Sequence, residues 1–113
     1  MNEQLPVLVC SYSDEESLYR AYMSFVANGG LFVRTKQDYP LGAQVKLSVR
    51  LFNEPDIHMV AGKVVWVTPK GAQGNKPSGV GVQFVDDDGR YLGNKIESYL
   101  AGSLKSTKFT DTL

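Results

Sequence analysis

An acidic run near the C-terminal end supplies the first candidate for metal chemistry. Oxygen-bearing side chains fall at positions 1, 3, 9 and 12 of a possible calcium-binding loop, namely Asp86, Asp88, Asn94 and Glu97. The rest of the loop does not fit, because Arg90 takes a ligand position and Tyr91 takes the position that needs glycine. The run 86–88 is therefore interpreted as the cap of a helix.

The remaining candidates for catalysis or ligand binding are isolated. Segment 71–76 resembles a phosphate loop, but no Ser or Thr follows its lysine and a strand is expected where a helix should start. His58 lies among apolar residues, and Cys10 lies in an apolar run, where a buried thiol is inert. No carboxylate pair or nucleophile motif accompanies them. The sequence therefore predicts a protein that is not an enzyme and needs no metal or cofactor.

Length, composition and charge narrow the class of protein. The chain has 113 residues, with 12 basic and 12 acidic side chains, 42% hydrophobic residues and 21% charged residues, which is typical of one globular domain. The balanced charge argues against nucleic acid as a partner, since phosphate binding requires a basic excess. No apolar stretch reaches the roughly 18 residues of a membrane span, and the start lacks the basic flank of a signal peptide. We expect a cytoplasmic protein that does not insert into a membrane.

Apolar runs bounded by turn residues predict six strands. The most regular run is 44–51, in which hydrophobic and polar residues alternate. Segment 57–67 is apolar on both faces, with Val64 and Trp66 on the same one, and is expected to be covered on both sides. Gly79 and Gly81 leave one face of their strand bare, so that a neighbour can approach closely. The six predicted strands are 5–10, 25–26, 31–33, 44–51, 57–67 and 78–84.

Two helices are predicted beside these strands. The spacing of Ser13 and Glu16 predicts a capping box for a short helix near 14–22, and the acidic run caps a longer C-terminal helix. Residues 103–113 are polar without periodicity and are predicted to form a flexible tail. The elements together predict a mainly all-β domain over residues 1–102. Its expected form is a six-stranded antiparallel barrel with a short N-terminal helix and a C-terminal α-helix.

The sequence resembles the PilZ domain family over about residues 5 to 102. The segments that carry the resemblance are Asn-Gly-Gly-Leu-Phe-Val at 28–33, Gly-Lys-Val-Val-Trp-Val at 62–67 and Gly-Val-Gly-Val-Gln-Phe at 79–84. Segments 22–26 and 68–76 are most similar to the members of the family that act in type IV pilus assembly. The resemblance implies a six-stranded antiparallel barrel with a C-terminal helix, in agreement with the strand count.

Most PilZ domains bind cyclic di-GMP through an Arg-x-x-x-Arg segment and an Asp/Asn-x-Ser-x-x-Gly motif, and this chain departs from both. Alignment on Gly30 places Phe25 at the Asp/Asn position and Ala27 at the Ser position. Arg20 stands alone where an arginine pair is needed. The planar fork of arginine binds phosphate and guanine edges, and a lone lysine does not reproduce it. We therefore expect no direct binding of cyclic di-GMP.

The departure fits the pilus-assembly members, which act as adaptors in type IV pilus biogenesis and twitching motility. By resemblance, the partners are the pilus extension ATPase and a degenerate EAL-domain protein that itself binds cyclic di-GMP. Four rings are candidate partner-binding anchors, because they offer more aromatic surface than one small core absorbs: Tyr19, Tyr22, Phe25 and Trp66. The alternative is that these rings fasten the N-terminal helix to the barrel. A monomer is expected.

A second hypothesis is that the protein itself binds cyclic di-GMP. In this case Arg20, Arg34 or Lys36 replaces the missing arginines of the motif at an atypical site. Binding of the dinucleotide to the purified protein distinguishes this hypothesis from the adaptor.

Overall fold

The computed structural model describes residues 5–69 and 77–101. The predictions for segment 71–76 and for the tail at 103–113 lie outside these residues. In chain order, the elements are β1 (Val7–Tyr12), α1 (Glu15–Ala21), β2 (Gly30–Arg34), β3 (Gln44–Leu51), β4 (Ile57–Thr68), β5 (Gly79–Phe84) and α2 (Asp87–Leu100).

The five strands form one mixed sheet in the order β1-β3-β4-β5-β2. The sheet curls into a half barrel, and β1 and β2 are its two edges. β1 runs parallel to β3, with Val9 opposite Ser48, whereas the other neighbours are antiparallel. The prediction of a purely antiparallel barrel is therefore wrong. The chain passes from β1 through α1 and β2, at the opposite edge, before it returns as β3, and such a crossover permits parallel pairing.

Segment 25–26 does not form the predicted sixth strand. Asn28 and Gly29 follow it with φ angles of 66° and 79°, in the left-handed region that turns the chain sharply. Pairing falls instead at an isolated antiparallel bridge between Tyr22 and Leu31. The glycine turn was predicted correctly, but the residues before it are part of the turn.

The short helix α1 is confirmed, and its capping box lies one residue later than predicted. The side chain of Asp14 accepts a hydrogen bond from the Ser17 N–H at 2.8 Å, and the Ser17 hydroxyl oxygen accepts one from the Asp14 N–H at 3.5 Å. The predicted pair of Ser13 and Glu16 is wrong because Asp caps a helix as well as Ser does, so two neighbouring registers fit the same pattern.

The second helix, α2, covers the inner face of the sheet. Asp86 caps it, since its Oδ1 accepts from the Gly89 N–H at 2.7 Å, while its Oδ2 accepts from the Ala61 N–H of β4 at 3.0 Å. The capping interpretation of the acidic run is confirmed. Within the described ranges, neither helix is long and apolar enough to cross a membrane. The core of the sheet and α2 consists chiefly of Val45, Leu47, Val49, Leu51, Val60, Val64, Val82, Phe84, Leu92, Ile96 and Leu100.

A β-bulge in β4 moves Trp66 to the outer face of the sheet. Val64 pairs with Val82, whereas Trp66 pairs with the next residue back along β5, Gly81, so Val65 is an extra residue. Val64 and Val82 are both core residues, and Trp66 is not. The prediction that Val64 and Trp66 share a face is wrong, because the bulge breaks the alternation between them.

The outer face of β4 is also more open than predicted. Ile57 is 56% exposed and Met59 is 48% exposed. The expectation that this strand is covered on both sides is wrong for its first half.

Candidate functional site

The loop 22–30 between α1 and β2 carries Phe25, Ala27 and Gly30, the three positions that the resemblance assigns to the altered motif. Its two ends are joined, because the Met23 N–H donates to the Gly30 carbonyl oxygen at 2.8 Å. The loop is short and fixed at both ends, so it holds Phe25 and Ala27 beside the edge strand β2.

Four apolar side chains lie on the outer face of β2, β4 and β5, and we name them the outer apolar cluster: Met23, Phe25, Phe32 and Trp66. Glycine makes room for them. A Cβ atom at Gly81 would lie 2.6 Å from the Met23 Sδ and 2.8 Å from the Trp66 Cβ, and one at Gly79 would lie 2.8 Å from the Phe32 Cζ. Met23 and Phe32 are buried but lie outside the main core. The prediction that a neighbour packs closely on the bare glycine face is confirmed.

Phe25 and Trp66 are the accessible part of the outer apolar cluster. Their rings form a T-shaped pair with centroids 6.1 Å apart. Phe25 is 47% exposed, and Trp66 is half-buried, with its Nε1–H donating to the Thr68 Oγ1 at 2.9 Å. Because the chain already satisfies the polar edge of the indole, the pair presents hydrocarbon to the outside. Such a surface suits contact with another protein.

The three positions of the altered motif provide no side-chain hydrogen bond. Phe25 and Ala27 carry only hydrocarbon, and the Ala27 carbonyl oxygen accepts from the Gln83 Nε2 at 2.9 Å. Gly30 is required by the fold, since a Cβ atom there would collide with the backbone carbonyl of Val82. A guanine or phosphate group at these positions would lose its bonds to water and gain none from side chains.

Tyr19 and Tyr22, the other two predicted anchors, lie in the core and are 6% and 3% exposed. The Tyr22 hydroxyl donates to the Glu97 Oε2 at 2.5 Å and so joins the end of α1 to α2. Burial first, and the bond to Glu97 second, raise the pKa of Tyr22 well above its ordinary value. The structure brings Phe25 and Trp66 together at the surface but separates them from the two tyrosines. The burial of the tyrosines favours the alternative that they fasten α1 to the rest of the domain.

A cleft of about 360 Å³ lies between the edge strands β1 and β2 and is lined by α1 as well. Arg20 and Arg34 both line it. The Arg20 Nη2 lies 3.3 Å from the Glu16 Oε2, in an exposed pair within α1. Lys36 lies instead beside a smaller cavity of about 60 Å³. Two of the three cations proposed for direct sensing, Arg20 and Arg34, therefore line the same cleft.

Sequence reasoning missed a polar contact that joins α2 to the turn after β3. The Lys95 Nζ lies 2.8 Å from the Glu54 Oε1, and the Tyr99 hydroxyl donates to the other oxygen of the same carboxylate. The bond from Lys95, followed by the bond from Tyr99, lowers the pKa of Glu54. Glu54 and Lys95 are far apart in the sequence, so no local periodicity indicates this contact.

Cys10 and His58, the isolated candidates for reactivity, both lie in strands of the sheet. Cys10 is buried, as predicted, and burial raises the pKa of its thiol to about 12, which keeps the thiol protonated and unreactive. His58 is half-buried on β4, where it pairs with Val49 of β3. Among residues 5–69 and 77–101, no group of three or more His, Cys, Asp and Glu side chains is placed to hold a metal ion.

Comparison with known families and proteins agrees with this geometry at the level of the family. The family model described as PilZ domain matches residues 5–102, which is most of the chain. No curated protein matches the chain. With a five-stranded curled sheet, a C-terminal helix and a match over this length, the chain belongs to the PilZ domain family.

Proposed function

We propose that this protein is a non-catalytic adaptor of type IV pilus biogenesis and twitching motility. It acts in the cytoplasm as a monomer and binds the pilus extension ATPase and a degenerate EAL-domain receptor of cyclic di-GMP. It does not bind the dinucleotide itself. In this role it couples the second messenger to pilus assembly through protein contacts alone.

The observation that carries the proposal is the chemistry of the altered motif. Phe25 stands at the position of the Asp/Asn side chain, and its ring packs on Trp66 as the exposed part of the outer apolar cluster. A face that would otherwise bind a polar, doubly charged ligand thus presents hydrocarbon. Partly exposed aromatic rings over a buried apolar base are the usual anchors of protein interfaces.

Capture of the extension ATPase and of the EAL-domain protein on immobilised protein tests this function. We expect Phe25→Ala and Trp66→Ala to weaken capture of at least one partner about tenfold or more, as expected for a ring worth about 2 kcal/mol at an interface. Tyr91→Ala is the matched control, because Tyr91 is 64% exposed on α2 and lies outside the outer apolar cluster. Capture of both partners at the wild-type level by both folded variants would contradict the proposal.

One observation favours a second candidate, which is direct sensing of cyclic di-GMP. Arg20 and Arg34 line the same cleft, and its volume of about 360 Å³ is within the range of small-molecule sites. This candidate predicts that the dinucleotide shifts the amide resonances of β1 and β2 around the cleft, and that Arg34→Ala abolishes the shifts. The adaptor predicts no such shifts.

A further inference from the structure

The edge strand β1 points half of its backbone groups away from the sheet. The carbonyl oxygens of Pro6 and Tyr12 accept bonds from the Lys46 and Phe52 N–H groups of the β3 side, at 2.8 and 2.7 Å. In a parallel pair, alternate residues bond the neighbouring strand, so the even-numbered residues of β1 bond β3. The N–H and C=O groups of Val9, between them, therefore point toward the free edge of the sheet.

The outward side chains beside this edge are apolar and exposed. Val7 is 51% exposed and Val9 is 77% exposed, and both carry the branched side chains typical of paired strands. Ile57 and Met59 lie on the same face of the sheet in β4, two strands from β1. They are 56% and 48% exposed. An exposed edge of six residues without a charged side chain is a template for an additional strand.

The same face carries only positive charge. Lys46, Arg50 and Lys63 occupy outward positions of β3 and β4, and no Asp or Glu occupies an outward position of β1, β3 or β4 between the described residues 7–11, 44–50 and 57–63. The whole chain has 12 basic and 12 acidic residues, so this face departs from the average. An incoming strand with carboxylates would be attracted, and a second copy of this chain would be repelled.

A cleft of about 360 Å³ lies between the edge of β1 and β2. The Tyr12 hydroxyl reaches across it to the Phe32 carbonyl oxygen of β2, at 3.4 Å. The two edges are bridged here by a side chain and are not paired through their backbones. Phe32 is the one member of the outer apolar cluster that also lines this cleft.

We infer that the free edge of β1 binds an extended, acidic segment of a partner protein, which joins the sheet as an additional strand. Backbone groups of Val9 and Ser11 supply the hydrogen bonds, and the basic face selects for acidic side chains. Such a segment need not belong to either of the partners proposed above.

A peptide titration of the full, isotopically labelled chain tests the inference. The probe is a synthetic peptide of about eight residues in which Glu and Val alternate, and its control replaces every Glu with Lys. We expect saturable binding of the acidic peptide that is about tenfold or more tighter than that of the basic one. On saturation, the amides of Val9 and Ser11 should exchange with solvent at least about tenfold more slowly, whereas those of Leu8 and Cys10, already bonded to β3, should not change. Equal affinity for both peptides, or no protection at Val9 and Ser11, would overturn the inference.

Two variants at one position separate backbone pairing from side-chain contact. Val9→Pro removes the N–H that points to the free edge and leaves the bonds to β3 in place, as proline at a sheet edge permits. Val9→Thr keeps the N–H and the branched shape. We expect Val9→Pro, with native amide dispersion, to lose about tenfold or more in affinity and Val9→Thr to bind within about threefold of wild type. Undiminished binding by a folded Val9→Pro variant, or protection of the Val9 amide that appears with rising protein concentration and no peptide, would refute an acidic partner strand.

Discussion

Two pairs of aromatic residues, all four of them predicted as partner-binding anchors, have opposite surroundings in the fold. Tyr19 and Tyr22 lie in the core, where the Tyr22 hydroxyl bonds Glu97. Phe25 and Trp66 lie on the outer side of the sheet, with Phe25 47% exposed. The side of the sheet on which each ring lies makes the difference. The tyrosines therefore stabilise the domain, whereas the outer pair is available for contact with a partner.

The largest expected effect is at the buried pair. Tyr22→Ala should lower the free energy of unfolding by about 3–5 kcal/mol, because it leaves a cavity in the core and the Glu97 carboxylate without its partner. Urea unfolding followed by circular dichroism measures the loss. A loss below about 1 kcal/mol would show that the ring is not a core residue and would remove the contrast between the two pairs.

A smaller effect is expected where the outer apolar cluster packs on glycine. Gly81→Ala should cost about 1–3 kcal/mol, because its Cβ would lie 2.6 Å from the Met23 Sδ. In a Met23→Ala background the same change should cost less, since the shorter side chain removes the contact with Met23 and leaves only the contact with the Trp66 Cβ at 2.8 Å. Additive costs in this double-mutant cycle, again measured in urea, would show that Met23 does not press on the glycine face.

The polar contact of α2 should contribute less again, and its contribution should depend on pH. Glu54→Gln is expected to lower stability at pH 7 by about 0.5–1 kcal/mol. The folded-state pKa of Glu54 lies below its ordinary 4.5, so the stabilisation is complete above pH 4.5 and is lost as the pH falls through the lowered pKa. The difference between wild type and variant should therefore be constant from pH 7 to about pH 5 and shrink below 4.5.

Stability curves measured by urea unfolding across this range check the dependence on pH. A difference that grows as the pH falls would contradict the assigned direction of the Glu54 pKa.

The smallest effect on stability is expected at the exposed ring. Phe25→Ala should cost only about 0.5 kcal/mol, because the change removes one edge-to-face contact and little buried surface. Thermal unfolding, compared with that of Tyr91→Ala, measures it. A cost near that of Tyr22→Ala would place Phe25 among the structural residues, and the proposed interface would lose its main anchor.

Local sequence patterns predicted the elements well and their arrangement less well. The alternation in 44–51 gave β3 at its observed bounds, and the bare face of Gly79 and Gly81 indicated a close neighbour. The parallel pairing of β1 with β3 was missed, because hydrophobic alternation carries no information on strand direction. The site was predicted in part: Phe25 was identified at the altered motif, but the bulge at Val65 that brings Trp66 beside it leaves no local signal.

Titration calorimetry of the purified protein with cyclic di-GMP tests the central claim most directly. A PilZ domain that carries both the arginine pair and the Asp/Asn-x-Ser-x-x-Gly motif serves as the positive control. The altered motif predicts no saturable heat at micromolar dinucleotide, because Phe25 and Ala27 cannot replace the bonds of the missing side chains. Saturable, micromolar binding with a stoichiometry near that of the control would contradict it.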